Sequence, residues 1–123
     1  MPPKQKRNQR PASPSSARFI APAAVRAAAA RGLRWRRETG RGGTAVGIAR
    51  ARDLSNGRPI SWETVQRMYS YFSRHQVDLI AHGASPGERG FPSPGRIAWE
   101  LWGGDAGLRW VLRLRRLRPE GFK

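Results

Sequence analysis

The stretch FPSPGRIAWELWGGDAGLRW, residues 91–110, holds three of the chain's five tryptophans and a Gly-Gly-Asp break. Two readings compete for it. The tryptophans are either a platform on which bases stack or the core of a small domain. Local signals favour the core. Ser93-Pro94 is an N-cap followed by a first-turn proline, whose missing N–H would be unpaired there anyway. The helix they open places Ile97, Ala98, Leu101 and Trp102 on one face, and Gly103 stops it. Asp105 is then expected to cap a second helix, AGLRWVLRLRRLR, with Leu108, Val111 and Leu112 facing inward and Pro119 as its end. The result is a hairpin of two helices about Gly103-Gly104. A domain with neither disulfide nor metal needs anchors of this size, each burying about 150–250 Å².

Upstream the same logic gives three more helices. SWETVQRMYSYFSRH, residues 61–75, has Ser61 as N-cap and Glu63 in the first turn, where the dipole favours an anion. Trp62, Val65, Met68, Tyr69 and Phe72 recur at helical spacing, with Gln66, Arg67, Ser70, Ser73 and Arg74 opposite. A Tyr69 or Tyr71 hydroxyl at the rim is in reach of a phosphate. In PAAVRAAAARGLRWRRETG, residues 22–40, Pro22 starts a helix and Gly40 closes it. Its narrow stripe is Val25, Ala28, Ala29, Leu33 and Trp35. Arg26, Arg34, Arg37 and, past the turn, Arg41 follow another side, and Gly32 either weakens the helix or admits a close neighbour. Thr44 caps AVGIARARDLS, residues 45–55, for which Val46, Ala49 and Leu54 are expected inward with Arg50 and Arg52 outward. Asn56-Gly57 breaks it. Glycine and proline recur through residues 83–95, which read as a loop. The expectation is an all-α fold, a compact bundle of about five short helices.

Composition bounds what such a bundle does. The 123 residues carry 24 Lys and Arg against 8 Asp and Glu, a formal net charge of +16. That excess calls for a polyanionic partner, and arginine's planar fork suits phosphate. Residues 1–18, MPPKQKRNQRPASPSSAR, contain no acid and little to bury, so they are expected to form a disordered basic arm ahead of a single helical domain over 19–123. The chain has no cysteine, which excludes disulfides, Cys-ligated zinc and thiol catalysis. Neither a long apolar run nor a signal-peptide pattern is present, so membrane insertion and export are not expected.

Three motifs fall short of chemistry. GRGGT, residues 40–44, lacks the lysine and the preceding strand of a phosphate-cradling loop, and reads as a turn. His75, Asp78 and His82 match no closed zinc spacing; His75 is better placed to close the helix before it. No serine has a nucleophile context and no Ser/His/Asp constellation is present, so an enzyme is not expected, nor a metal or other cofactor.

The tract RGGTAVGIARARDLSNGRPIS (41–61), MYSYFSRHQVD (68–78) and GFPSPGRIAWELWGGDAGLRW (90–110) resembles a small module recurring in tailed bacteriophages and prophages. The module stands alone or is appended to head-morphogenesis proteins, some of them prohead-protease-like. The resemblance implies phage origin and a virion or head-assembly connection, in the host cytoplasm during infection or in the virion head; it brings no catalytic residues. The leading expectation is a non-enzymatic protein that binds nucleic acid, DNA ahead of RNA, through phosphate contacts. Lys4, Lys6, Arg7 and Arg10 of the arm are the expected contacts, with Arg109, Arg113 and Arg116, an outward ridge at i, i+4 and i+7. The alternatives are a virion structural or cement protein meeting an acidic capsid partner, and a helical transcription regulator. The regulator would need base-reading Asn or Gln on its recognition helix, and the last helix has none.

Overall fold

Proline, glycine and short hydroxyl side chains divide the chain where the helices begin and end. The structure is a computed structural model that describes residues 17–118. It contains five α-helices: α1 (Ala23–Thr39), α2 (Ala45–Ser55), α3 (Trp62–His75), α4 (Pro94–Leu101) and α5 (Gly104–Leu117). A 3₁₀ turn (Gln76–Leu79) follows α3, and a two-residue antiparallel pair joins β1 (Arg18–Phe19) to β2 (Ile60–Ser61). The fold is all-α. Thr44, Ser61 and Ser93 cap α2, α3 and α4 through Oγ, accepting from Gly47 N at 3.2 Å, Thr64 N at 3.1 Å and Arg96 N at 3.0 Å. Each cap satisfies an amide the helix cannot. Gly40 closes α1 in the left-handed region, at φ 72°.

The α4–α5 hairpin lies against α1, and glycines set how closely. A Cβ on Gly32 would stand 2.7 Å from Leu101 N, so α1 and the end of α4 meet backbone to backbone. The hairpin turn needs Gly103 and Gly104, at φ 118° and 66°. α3 packs across the other side, and the core collects where the layers meet. Trp99 is 1% exposed and stands edge-on to Phe72, ring centroids 4.8 Å apart. Around this pair lie Val25 and Ala29 of α1, Leu54 of α2, Val65 and Met68 of α3, and Trp110 and Val111 of α5. Trp99, Trp110 and Trp62 are therefore core, whereas Trp102 and Trp35 are only partly buried.

Several expected faces are rotated, for one recurring reason. In α2, Val46 is 58% exposed and Ala49 is exposed too; the inward residues are Gly47, Ala51 and Leu54. Gly47 must face in because the Trp102 indole lies over it, with Nε1 3.1 Å from where a Cβ would be. In α5, Gly107 approaches Phe72 and brings Trp110 and Val111 inward, so Leu112 is left 42% exposed. Small residues at tight crossings decide these faces, not the bulkiest apolar ones. Asp105 is not a cap: α5 already starts at Gly104, and the carboxylate instead accepts from Trp99 Nε1 at 2.9 Å. Tyr71, expected at the rim, is buried, while Tyr69 is only half-buried beneath the Arg115 guanidinium at 3.8 Å. Ala17 is buried and Arg18 is paired with Ser61, so these two residues of the segment expected to be an arm belong to the fold.

The Gly32 contact can be tested directly. Overpacking costs about 1–3 kcal/mol and opposes a gain of about 1 kcal/mol in helix propensity. Gly32→Ala is therefore expected to lose stability in urea denaturation; a gain would show that α1 and α4 are not in backbone contact. Trp99→Ala should cost about 3–5 kcal/mol, the range for a buried large aromatic, and Trp102→Ala less.

Candidate nucleic-acid interface

The acidic side chains show how the surface charge arises. Glu100 is 3% exposed and sits between two arginines: Arg31 Nη2 donates to Oε1 at 2.9 Å, and Arg96 Nε lies 3.3 Å from Oε2. Asp53 pairs with Arg50 at 3.5 Å and Glu63 with Arg67 at 3.3 Å, and Asp78 Oδ2 lies 3.2 Å from His75 Nδ1. Asp105 holds Trp99. Glu88 folds its own loop, accepting from Gly83 N at 2.7 Å and Ser85 N at 3.2 Å. Of the acids among the described residues, Glu38 alone lacks such a contact. Glu100, Asp105 and Glu88 are joints.

The arginines are mostly left outside. Arg109, Arg113 and Arg116 are all exposed on the outer side of α5, in the expected row. Leu112 stands among them and Leu117 follows, 68% exposed. Their neighbour Arg115 turns the other way, donating to Gln66 Oε1 and covering Tyr69, which ties α5 to α3. Arg34, Arg37, Arg52 and Arg58 are exposed as well. Arg41 is engaged: its guanidinium donates to Pro92 O at 3.0 Å and, with Trp35 edge-on to Phe91 at 5.4 Å, it holds the 83–93 loop to the end of α1. Lys4, Lys6, Arg7 and Arg10 lie outside the described residues.

A second feature was not visible from spacing alone. Between the start of α2 and the face of α3 lies a groove of about 480 Å³, lined by Gly43, Thr44 and Val46, by Arg67, Ser70, Tyr71, Arg74 and His75, and by Asp78, Ala98 and Trp102. Along one wall three rings are stacked. Tyr71 lies 4.4 Å from His75 at 20° and 4.7 Å from Trp102 at 8°. The Arg50 guanidinium is 5.8 Å from the Trp102 ring, and burial draws its pKa down while Asp53 opposes the shift. Arg67 and Arg74 had been placed on the polar side of α3 by its period. What the sequence did not reveal was the opposite wall, supplied by α2 and α4.

The histidines take separate roles. His75 ends α3 and stacks on Tyr71, whereas His82 is exposed and acts electrostatically on Glu88. Among the described residues no three His, Cys, Asp or Glu side chains are grouped to hold a metal ion. No described helix is long and apolar enough to cross a membrane. The chain matches no protein-family model, no curated protein and no solved structure.

The Glu88 loop gives a pH-dependent test. The amides of Ser85 and Gly83 hold its carboxyl below the usual glutamate pKa. Its contribution to loop order is thus complete above about pH 4.3, the unfolded value, and is lost as pH falls through the lower native one. The Gly83 and Ser85 amide resonances should titrate with a midpoint below that of a free glutamate. In Glu88→Gln the titration should vanish; a midpoint at or above the free value would disprove the contact.

Proposed function

We propose that this chain is a non-enzymatic nucleic-acid-binding protein that holds phosphates through unpaired arginines, with DNA its main partner. The observation that carries this reading is the asymmetric use of charge. The acids are drawn into joints such as Arg31–Glu100–Arg96, Trp99–Asp105 and the Glu88 loop. Arg109, Arg113 and Arg116 are left in an exposed row. Self-repulsion from +16 is a standing cost that a polyanion relieves. The outer side of α5 offers arginine and leucine rather than Asn or Gln, which supports backbone contact over base reading. The resemblance to a phage module supplies a setting, infected cytoplasm or the virion head.

A second reading has its own support. Leu112 and Leu117, exposed among the arginines, suit a face that meets a protein as well as one that meets phosphate. A virion structural or cement protein against an acidic capsid surface would use both.

Salt titration separates the two. Each phosphate neutralised on duplex DNA contributes about −0.9 to the slope of log K against log salt. Arg109→Ala with Arg113→Ala should make the slope shallower by about 2, nearly equally on unrelated sequences, with an unchanged circular dichroism spectrum. If the wild-type chain shows no affinity for DNA or RNA at low salt, the capsid-partner reading replaces this one.

A further inference from the structure

The groove between α2 and α3 combines features that neither the fold nor the α5 ridge requires. Tyr71 lines it and is 6% exposed, and its hydroxyl, shut from solvent, has no hydrogen-bond partner. Burial pushes the phenol's pKa up, with Asp78 adding to the shift, so the hydroxyl remains a donor at working pH. Buried polar groups are nearly always paired, and an unpaired one bordering a groove points to a missing ligand. Two guanidiniums border the same space. Arg67 is held by an exposed pair with Glu63, and Arg74 Nη1 by the Ser70 hydroxyl at 2.6 Å. Both contacts are ones an anion can replace. α2 starts at the groove with no acid in its first turn, so the positive end of its dipole is not neutralised by its own side chains. Asp78 is the acid that lines the groove, and it lies against His75.

The groove also has an apolar part to its lining. Val46 and Ala98 border it, and the His75–Tyr71–Trp102 stack ends in a part-exposed imidazole. Two cations and an amide-bearing helix start beside stacked rings suit a ligand with an anionic tail and a planar body. A volume of about 480 Å³ is within the range of small-ligand sites. We propose that this groove takes one nucleotide unit, its phosphate on Arg67, Arg74 and the start of α2, its base extending the aromatic stack at His75. The proposal rests on the nucleic-acid reading and sharpens it. A base inside a duplex is already stacked and cannot enter, so the groove selects single strands or unpaired ends.

The test uses the full chain with fluorescently labelled oligothymidylate, a blunt duplex of equal length, and thymidine 5′-monophosphate as competitor. Two groove variants are compared with the ridge variant Arg109→Ala/Arg113→Ala. One is Arg67→Ala/Arg74→Ala. The other is Val46→Asp, at an exposed site in the first turn of α2 where an acid suits the helix dipole. Both groove variants should weaken single-strand binding about tenfold or more, the scale of losing one stacked base, and leave duplex binding nearly unchanged. The ridge variant should weaken both substrates alike. Competition by the mononucleotide would assign the groove to free nucleotides as well; its absence, with the groove variants still defective, would assign it to strands alone. Groove variants that bind single strands as wild type does would overturn the proposal and leave the ridge reading intact. Mononucleotide binding without affinity for either nucleic acid would keep the groove and remove the ridge reading. Failure of all three probes removes both.

Discussion

The close crossing of α1 over the end of α4 is the constraint on which the other packing depends. With no side chain at Gly32, the α1 backbone comes within contact of Leu101 N. That approach brings Arg31 to Glu100 across 2.9 Å, and Arg96, one turn back on α4, reaches the same carboxylate from its other oxygen. A buried carboxylate is costly unless its charge is met. Here both partners are partly exposed, so the desolvated ion is the carboxylate while the guanidiniums keep some water. Gly104, next in line, has its own missing Cβ 2.9 Å from Glu100 Oε1. The ion pair and the glycine contacts therefore form one joint. It orients the hairpin, and the hairpin orients Trp99 and Trp110 into the core.

From this joint the distribution of charge follows. A small domain built of arginine-rich helices needs acids to pin its crossings, and it places them where aromatic or backbone donors also need acceptors. Asp105 serves the Trp99 indole, and Glu88 serves two loop amides. Of these acids Glu100 is buried, whereas Asp105 and Glu88 stay at the surface with their oxygens engaged. The basic exterior follows from the excess of arginine over acid, and the ridge on α5 and the rim of the groove share in it. The two surfaces differ in kind. The ridge is a row of independent cations. The groove sets cations beside stacked rings and a buried hydroxyl.

Much of the architecture was legible in the residues. Hydroxyl and proline starts, glycine stops and the 3.6-residue period located all five helices, and Ser61, Thr44 and Ser93 cap as read. Where the helix faces differ from the expectation, the difference is rotational. Val46 and Leu112 outweigh Gly47 and Gly107 on any hydropathy scale, yet a glycine at a crossing faces inward because only it fits. That preference depends on the partner helix, and a single helix's pattern does not contain it. The exposed α5 row was readable because its surroundings are solvent. The groove was not, since its walls come from three helices far apart in sequence. Tyr71 lies off the apolar stripe of Trp62, Val65, Met68, Tyr69 and Phe72, so the period alone leaves it at the rim. Stacking between His75 and Trp102 draws it inward instead.

The pairing of β1 with β2 has a topological consequence. Phe19 packs on Trp62 at 5.8 Å, and the Arg118 guanidinium lies 5.5 Å from the same Phe19 ring. The first and last parts of the described chain therefore share one corner, beside Arg116 and Leu117 at the end of α5. The described chain enters and leaves on one side, not at opposite poles. Phe19 is thus a shared clasp: one ring joins the strand pair, the start of α3 and the end of α5.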